Sequence, residues 1–345
     1  MVGPSMQDIA DAISTSRITV WKALNNRPGV SDSMRKNILN KAQEMGYKKI
    51  PLSSETDNAT LELTSDCAPK TVAAVISRPD SSIFWMQIIH QVAKELSKKN
   101  INLLYTYLPT YYKNTYAMPT MLDREYIDGM IILNVYSHEF LQRLSEVKLP
   151  KVFLDTVPSI SFDKLNGDLV MIQGKSILRD ITLSVIEHGV EDLTFIGDVE
   201  YAQTNTERFE GFKEALQIKG LPFHENRNLT KKLGLETHYE EISDFLSSLK
   251  PFPKAILCAS DYIAHFVKLY CTENENEDTK NVIITGFDNN DEYVNVAEKI
   301  TTVNVDTHSL GARLADKIMF RIEHPHSAFE LSYVKSDIIY YEPLI

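Results

Sequence analysis

The stretch SRITVWKALN, Ser16 to Asn25, sets Arg17 and Lys22 among hydroxyl, amide and apolar side chains. On a short helix, Arg17 and Ile18 could reach base edges, with Lys22 a turn and a half on reaching a guanine, while Ser16, Thr19 and Asn25 touch phosphates or sugars. The same pattern also describes a solvated face of an ordinary amphipathic helix. A second group of candidates lies far downstream, among the residues that follow short apolar runs such as GDLVMI, AILC and VIITGF. If those runs are parallel strands, these residues fall near carboxyl ends, where doubly wound sheets bind small ligands.

Bond-making chemistry finds little support. QGKS at 173–176 has the tail of a phosphate-binding loop, but the glycine required five residues before Gly174 is replaced by Leu169. Neither GxSxG nor HExxH occurs. The HPH triplet at 324–326 reads as a solvated loop pair, and His90, His188 and His265 fall in helical stretches as structural residues. Cys67, Cys258 and Cys271 are odd in number and far apart, so they form neither a disulfide framework nor a metal pair. No enzyme activity, metal or cofactor is expected.

The 345 residues are 43% hydrophobic and 24% charged, with no apolar run near the roughly eighteen residues that span a bilayer. The N-terminal residues lack a basic-then-apolar signal, so the chain is expected in the cytosol, at the nucleoid, and away from membranes. The net charge of −11 conceals an uneven distribution. Residues 1–50 hold eight Lys/Arg against four Asp/Glu, and the remainder holds 28 against 43. A basic head on an acidic body suggests that only the head meets nucleic acid.

The elements that must position these residues can be read from spacing. Ser5 with Asp8 three residues on caps a first helix carrying Ile9, Ala10 and Ile13. A break at 14–16 leads into a second helix with Val20, Ala23 and Leu24 on one side. NNRPGVS is a loop, and Ser31 caps a third helix that runs through Met45 and ends at Gly46. Three such helices make a helix-turn-helix arrangement. From Thr71 onward, strand-like runs (TVAAVIS, INLLYTYL, DGMIIL, KVFLD, LTFIGD, KAILCAS, NVIITGFD) alternate with helical patterns, which implies parallel sheets flanked by helices in two lobes.

From Met6 to Tyr47 the sequence, without gaps, resembles the DNA-binding head of the LacI/GalR family of bacterial transcription regulators. The matching positions include Asp8-Ile9-Ala10, Ser16, Thr19-Val20, Leu24-Asn25, Val30-Ser31, Arg35 and Gly46-Tyr47. The body resembles the family's effector domain in EHGVEDLTFIGD, ERFEGFKEAL, AILCASDYIA, VIITGFDN and ITTVNVDTHSLGARLADKI. The resemblance implies a helix-turn-helix domain over 1–50, a linker over 51–70, and over 71–345 a two-lobed, periplasmic-binding-protein-like α/β domain that binds effector and dimerises.

It implies DNA contacts from Ser16, Arg17, Ile18, Thr19, Lys22, Asn25 and Tyr47. Lys22 stands where the family has an arginine and cannot form an arginine's two-pronged bond. Trp21 replaces a small hydroxyl residue, and half-buried packing or stacking on the sugar-phosphate backbone both suit it. Where the family has an Ala-rich hinge, KKIPLSSETDNATLELTSDCAPK is long, polar and acidic. Leu61 or Leu63 could wedge between bases, or the segment could be a linker without a DNA role.

In the effector domain the resemblance implies that Arg208 clamps ligand oxygens and that Asp288 accepts from sugar hydroxyls. Asp261 would lie near the cleft, with Ser260 replacing the family's Asn. Phe84 and Trp85 would stack on a ring, although core packing is an alternative for both, as an interlobe ion pair is for Arg208. Gln173 stands where the family has Asp, which removes a charge. The implied function is an operator-binding repressor, a homodimer or tetramer on a pseudo-palindrome, controlled by a small molecule, a sugar or sugar derivative, between the lobes. Control by a protein corepressor is the alternative.

Overall fold

A computed structural model describes residues 4–24, 27, 29–45, 47, 70–77, 82–122, 126–234 and 236–344, apart from the Gln43 side chain. The chain divides into two compact units, Met1–Asp66 and Cys67–Ile345. Asn25, Gly46 and Cys67, and the hinge candidates Leu61 and Leu63, lie outside the described residues.

The first unit holds three helices, α1 (Met6–Ala12), α2 (Arg17–Leu24) and α3 (Asp32–Glu44). The Ser5 hydroxyl accepts from the Asp8 amide, and the Asp8 carboxylate accepts from the Ser5 amide at 2.6 Å and its hydroxyl at 2.8 Å. This reciprocal cap satisfies donors that the first helical turn leaves open. Ser16 does the same for α2, accepting from the Thr19 amide at 3.1 Å. The other end of α2 is closed from α3. Arg35 donates to the carbonyls of Lys22 at 3.3 Å, Ala23 at 3.0 Å and Arg27 at 2.7 Å. Ile9, Ala10, Val20, Ala23, Leu24, Ile38 and Ala42 form the core between the helices.

The second unit begins with a six-stranded sheet. Its strands are β1 (Thr71–Ile76), β2 (Asn102–Tyr107), β3 (Gly129–Leu133), β4 (Lys151–Leu154), β5 (Asp168–Ile172) and β10 (Leu331–Val334), in the order β10-β5-β4-β3-β1-β2. All pairings are parallel. Strands β3, β4 and β5 are buried along their whole length, which is why they read as unbroken apolar runs. The edge strands β2 and β10 are partly exposed. Helices α4 (Ile83–Lys98), α5 (His138–Glu146) and α11 (Thr307–Glu323) accompany this sheet.

A second parallel sheet, β6 (Leu193–Ile196), β7 (Ala255–Cys258) and β8 (Ile283–Thr285), carries α6 (Lys175–Glu187), α7 (Gln203–Lys219), α8 (His238–Ser248), α9 (Asp261–Glu273) and α10 (Glu277–Lys280). An antiparallel pair, β9 (Thr302–Asn304) with β11 (Asp337–Ile339), lies alongside, tied by bridges from Thr285 to Thr301 and from Asp288 to Asn304. The chain passes between the lobes three times, after β5, after β9 and after β10. A buried ion pair anchors the returning segment: Arg321 donates to Asp168 at 2.7 and 3.0 Å and to the carbonyls of Ser327 and Ala328. With its donors so matched, the pair is a structural tie whose loss would leave a charge buried.

Candidate functional site

In the first unit, α2 presents Arg17, Ile18 and Trp21 to solvent, with Ile18 67% and Trp21 45% exposed. A β-branched side chain that open at the first turn of a helix gains nothing from its own fold. Arg17 and Trp21, four residues apart, share one face. Ser16 and Thr19 are less free, because their hydroxyls lie 2.8 Å from each other while Ser16 caps the helix. Lys22 is half-buried, and Tyr47 packs against the helix core. The exposed apolar and cationic surface of α2 therefore rests on Arg17, Ile18 and Trp21.

In the second unit, the cleft chemistry centres on Arg208. It projects from α7 and is 5% exposed. Nη1 donates to the Ala259 carbonyl at 2.5 Å, and the guanidinium lies over the Phe287 ring, 3.6 Å from its centroid. Nη2 is 3.6 Å from Asp288 Oδ1, an ion-pair distance rather than a hydrogen bond. Nε has no partner. Gly174 allows this packing, since a Cβ there would lie 3.1 Å from Arg208 Cγ and 3.2 Å from the Thr204 carbonyl.

Three carboxylates surround that one cation. Asp155, just past β4, accepts from Thr204 Oγ1 at 2.7 Å, from the Thr156 amide at 2.8 Å and from the Thr204 amide at 3.3 Å. Burial pushes it up to about 6 against the pull of those donors and of Arg208. Asp261, at the start of α9, accepts from Thr302 Oγ1 at 2.7 Å and from the Asn290 amide at 2.8 Å, and burial raises it to about 6. Gly286 leaves room for this, as a Cβ there would land on the Asp261 carboxylate. Asp288 differs from both, because no hydrogen bond reaches its carboxylate among the described residues. Burial pushes it up to about 7, with Arg208 opposing and Asp261 and Asp155 adding to the rise. Its backbone sits at φ +108°, and Asn134 and Asp155 at φ +55° and +65° share the left-handed region. Three non-glycine residues held there just beyond strand ends mark loops under constraint.

Asp288 also faces a cavity of about 300 Å³ lined by Ile83, Phe84 and Gln87 of α4, by Asp288 to Asp291, and by Asn304 to His308. Two hydrogen bonds cross it: Thr307 Oγ1 donates to Gln87 Oε1 at 2.9 Å, and the Ile83 amide donates to Glu292 Oε2 at 3.3 Å.

The structure thus brings Asp288 and Phe84 to one cavity, with Arg208 behind Asp288 and Asp261 holding the Asp288 loop. Phe84 is 8% exposed and belongs to the core as well as to the wall. Trp85 packs edge-on to Phe84 against the same core and is not part of the cavity wall. Gln173 is half-buried between β5 and α6, its backbone N–H donating to the Val334 carbonyl at 3.0 Å, and is likewise outside the wall. Sequence reasoning missed Asp155, Gln87 and the amide-rich wall of Asn289, Asn290 and Asn304. Only Asp155 left a signal, a charge directly after the buried run KVFL. Among the described residues no cluster of His, Cys, Asp and Glu could hold a metal ion, and no helix is long and apolar enough to cross a membrane.

Residues 184–339 match the model of a periplasmic binding protein-like domain. Over 341 residues the chain is 25% identical to the HTH-type transcriptional regulator RegA of Clostridium saccharobutylicum, covering 96% of each protein. Its fold is similar to that of the transcriptional regulator CelR in complex with cellobiose, with a TM-score of 0.66, 19% identity, and 97% and 98% of the two chains covered. It is also similar to a LacI-family transcriptional regulator from Silicibacter pomeroyi, with a TM-score of 0.62, 20% identity and 99% of both chains covered.

Proposed function

We propose that this chain, a transcriptional regulator of the LacI/GalR type, represses by binding a pseudo-palindromic operator as a homodimer in the cytoplasm and is switched by a carbohydrate-class effector between its lobes. In this reading Arg17 and Ile18 read bases, a guanine edge and a thymine methyl respectively. Ser16, Thr19 and Asn25 set the register on the backbone, Lys22 reaches a guanine with a single-pronged bond, and Tyr47 is a further DNA contact. Two heads on a two-fold axis supply the affinity that one small head lacks. The edge strand β2 offers a surface for self-association, with Tyr105 and Tyr107 43% and 46% exposed on one face.

The observation that carries the effector reading is the Arg208–Asp288 gap beside the cavity. A hydroxyl placed there could accept from Nη2 and donate to Asp288, replacing a 3.6 Å contact by two hydrogen bonds. Phe84 would supply the apolar wall that a sugar ring needs. A ligand held from both lobes biases their relative positions and so the operator affinity, and DNA must bias the ligand by the same factor.

The test uses full-length protein and an operator recovered from a randomised duplex pool at a stated salt concentration. A saccharide effector is expected to change operator affinity by about 5–150-fold. Unchanged affinity across a panel of mono- and disaccharides would remove the carbohydrate part of the reading and leave the DNA part standing.

A further inference from the structure

The charge around the cavity is one-sided. Among the described residues, its wall holds the carboxylates of Asp288, Asp291 and Asp306, no lysine or arginine, and a single imidazole, His308. Glu292 adds a fourth carboxylate at the rim, where it accepts from the Ile83 amide. Some of this charge is already answered. Asp306 caps α11, accepting from the Ser309 amide at 2.9 Å and its hydroxyl at 2.6 Å. Asp155 and Asp261 are hydrogen-bonded by threonines and backbone amides.

Asp288 is the exception. It opens on the cavity, its carboxylate receives no hydrogen bond among the described residues, and its one counter-charge is Arg208 at 3.6 Å. That guanidinium is already committed to the Ala259 carbonyl and the Phe287 ring, and it also lies in the field of Asp155 and Asp261. One buried cation therefore serves three carboxylates, and the one left over points at the empty space. A metal ion is not the answer, because no three acidic or imidazole groups among the described residues converge as ligands. An organic ammonium group needs only one carboxylate and neighbouring acceptors; the side-chain carbonyl of Asn289 is one, and those of Asn290 and Asn304, which already accept from the Glu292 amide at 3.1 Å and from Asn289 Nδ2 at 3.4 Å, keep a second lone pair.

We infer that the cleft is built for a ligand carrying a protonated amine, with Asp288 as its anchor, and that it discriminates against neutral and acidic counterparts of the same size. Within the carbohydrate reading, on which this rests, the effector is an amino sugar. An acidic sugar or sugar phosphate would meet three wall carboxylates, and the cation nearest to it among the described residues, Arg208, is already shared with Asp288, Asp155 and Asp261.

The test is calorimetric titration of the full-length protein with matched sets: glucosamine, glucose and glucuronate; galactosamine, galactose and galacturonate; and the non-sugar diamine putrescine. At least one amine is expected to bind about tenfold or more tighter than its neutral partner, with no detectable binding of the acids. D288N should bring the amine down to the neutral sugar's level. Asparagine tolerates left-handed backbone, and an unchanged far-UV spectrum checks the fold. D291N removes an exposed wall charge and should weaken the amine by a smaller factor, about two- to fivefold.

Equal binding of amine and neutral sugar, tighter binding of the acid, no binding by any amine, or amine binding untouched by D288N would each overturn the inference. A neutral sugar binding best would do so while leaving the carbohydrate reading intact. Binding of putrescine alone, lost in D288N, would uphold the amine and remove the sugar.

Discussion

On α2 of the head, Ile18 is 67% exposed and stands beside Arg17 in solvent, whereas in the body Arg208 is 5% exposed and fixed by a carbonyl, an aromatic ring and a carboxylate. The two arginines carry the same charge in opposite circumstances. Arg17 sits in water, so under the proposed function its removal should cost recognition and spare the fold. Arg208 already holds Ala259, Phe287 and Asp288 together, so under the same proposal its removal should touch both. Partner-facing residues in the head are thus separable from the architecture, and those in the cleft are not.

The sharpest way to break that contrast is Arg208→Ala. Losing the cation leaves Asp155, Asp261 and Asp288 without their shared counter-charge, and breaking a buried pair costs about 3–5 kcal/mol. The expected result is a body that melts lower and an operator complex that no longer responds to effector, with the head still binding DNA. Calorimetry and gel shifts with and without ligand check the two halves, and a normal response in this variant would remove Arg208 from the site. Arg17→Ala is the counterpart in the head. Operator discrimination should fall by about 1–3 kcal/mol, with the melting temperature and effector binding unchanged. Equal loss on random DNA would make Arg17 a phosphate contact instead.

The same contrast explains what could be read from the sequence. Strands β1, β3, β4 and β5 were legible because burial leaves unbroken runs such as TVAAVI and GMIIL, whereas the partly exposed edge strand β10 left no such run and was missed. The head was legible because Ser5, Asp8 and the apolar positions of α1 to α3 act within a few residues of one another. The cavity was only partly legible. Its wall draws on residues near 83–87, 288–291 and 304–308, which meet because the chain passes three times between lobes, and no periodicity records those passages. Phe84 and Trp85 show the limit within one helix. Adjacent positions point about 100° apart, so Phe84 reaches the wall while Trp85, packed against the same core, does not. Asp155 looked like any turn residue after a strand, and only its bonds to Thr204, 49 positions away, reveal what it joins.

Asp288 offers a smaller and signed effect. Its group is raised from the ordinary 3.8 to about 7 in the fold. The favourable state is therefore fully present below about pH 4 and is lost as the pH rises through 7. Asp155 and Asp261, raised to about 6, act in the same direction. Asp288→Asn removes one of the three while Arg208 keeps the other two as counter-charges. In the empty protein at pH 8 this should raise stability by about 1–2 kcal/mol, or a Tm gain of about 2–6 °C, and the gain should shrink as the pH is lowered toward 5. A gain independent of pH would mean that packing, not ionisation, separates the two side chains.

The smallest expected effect tests the head from the side of its architecture. Ser5→Ala deletes the hydroxyl that caps α1 and one of the two bonds to the Asp8 carboxylate, while the backbone amide, the larger cause of that group's lowered pKa, keeps its own. Removing such a cap costs about 1 kcal/mol. Because Ile9 and Ala10 of α1 share a core with Val20, Ala23 and Leu24 of α2, the loss should lower the melting of the head as one unit. The same variant should weaken binding to operator and to random DNA by a common factor, since Arg17 and Ile18 are untouched and only the folded fraction of their platform changes. A fall in discrimination between the two duplexes would show instead that α1 sets the pose of α2 on DNA, and architecture and recognition would then be as entangled in the head as they are around Arg208.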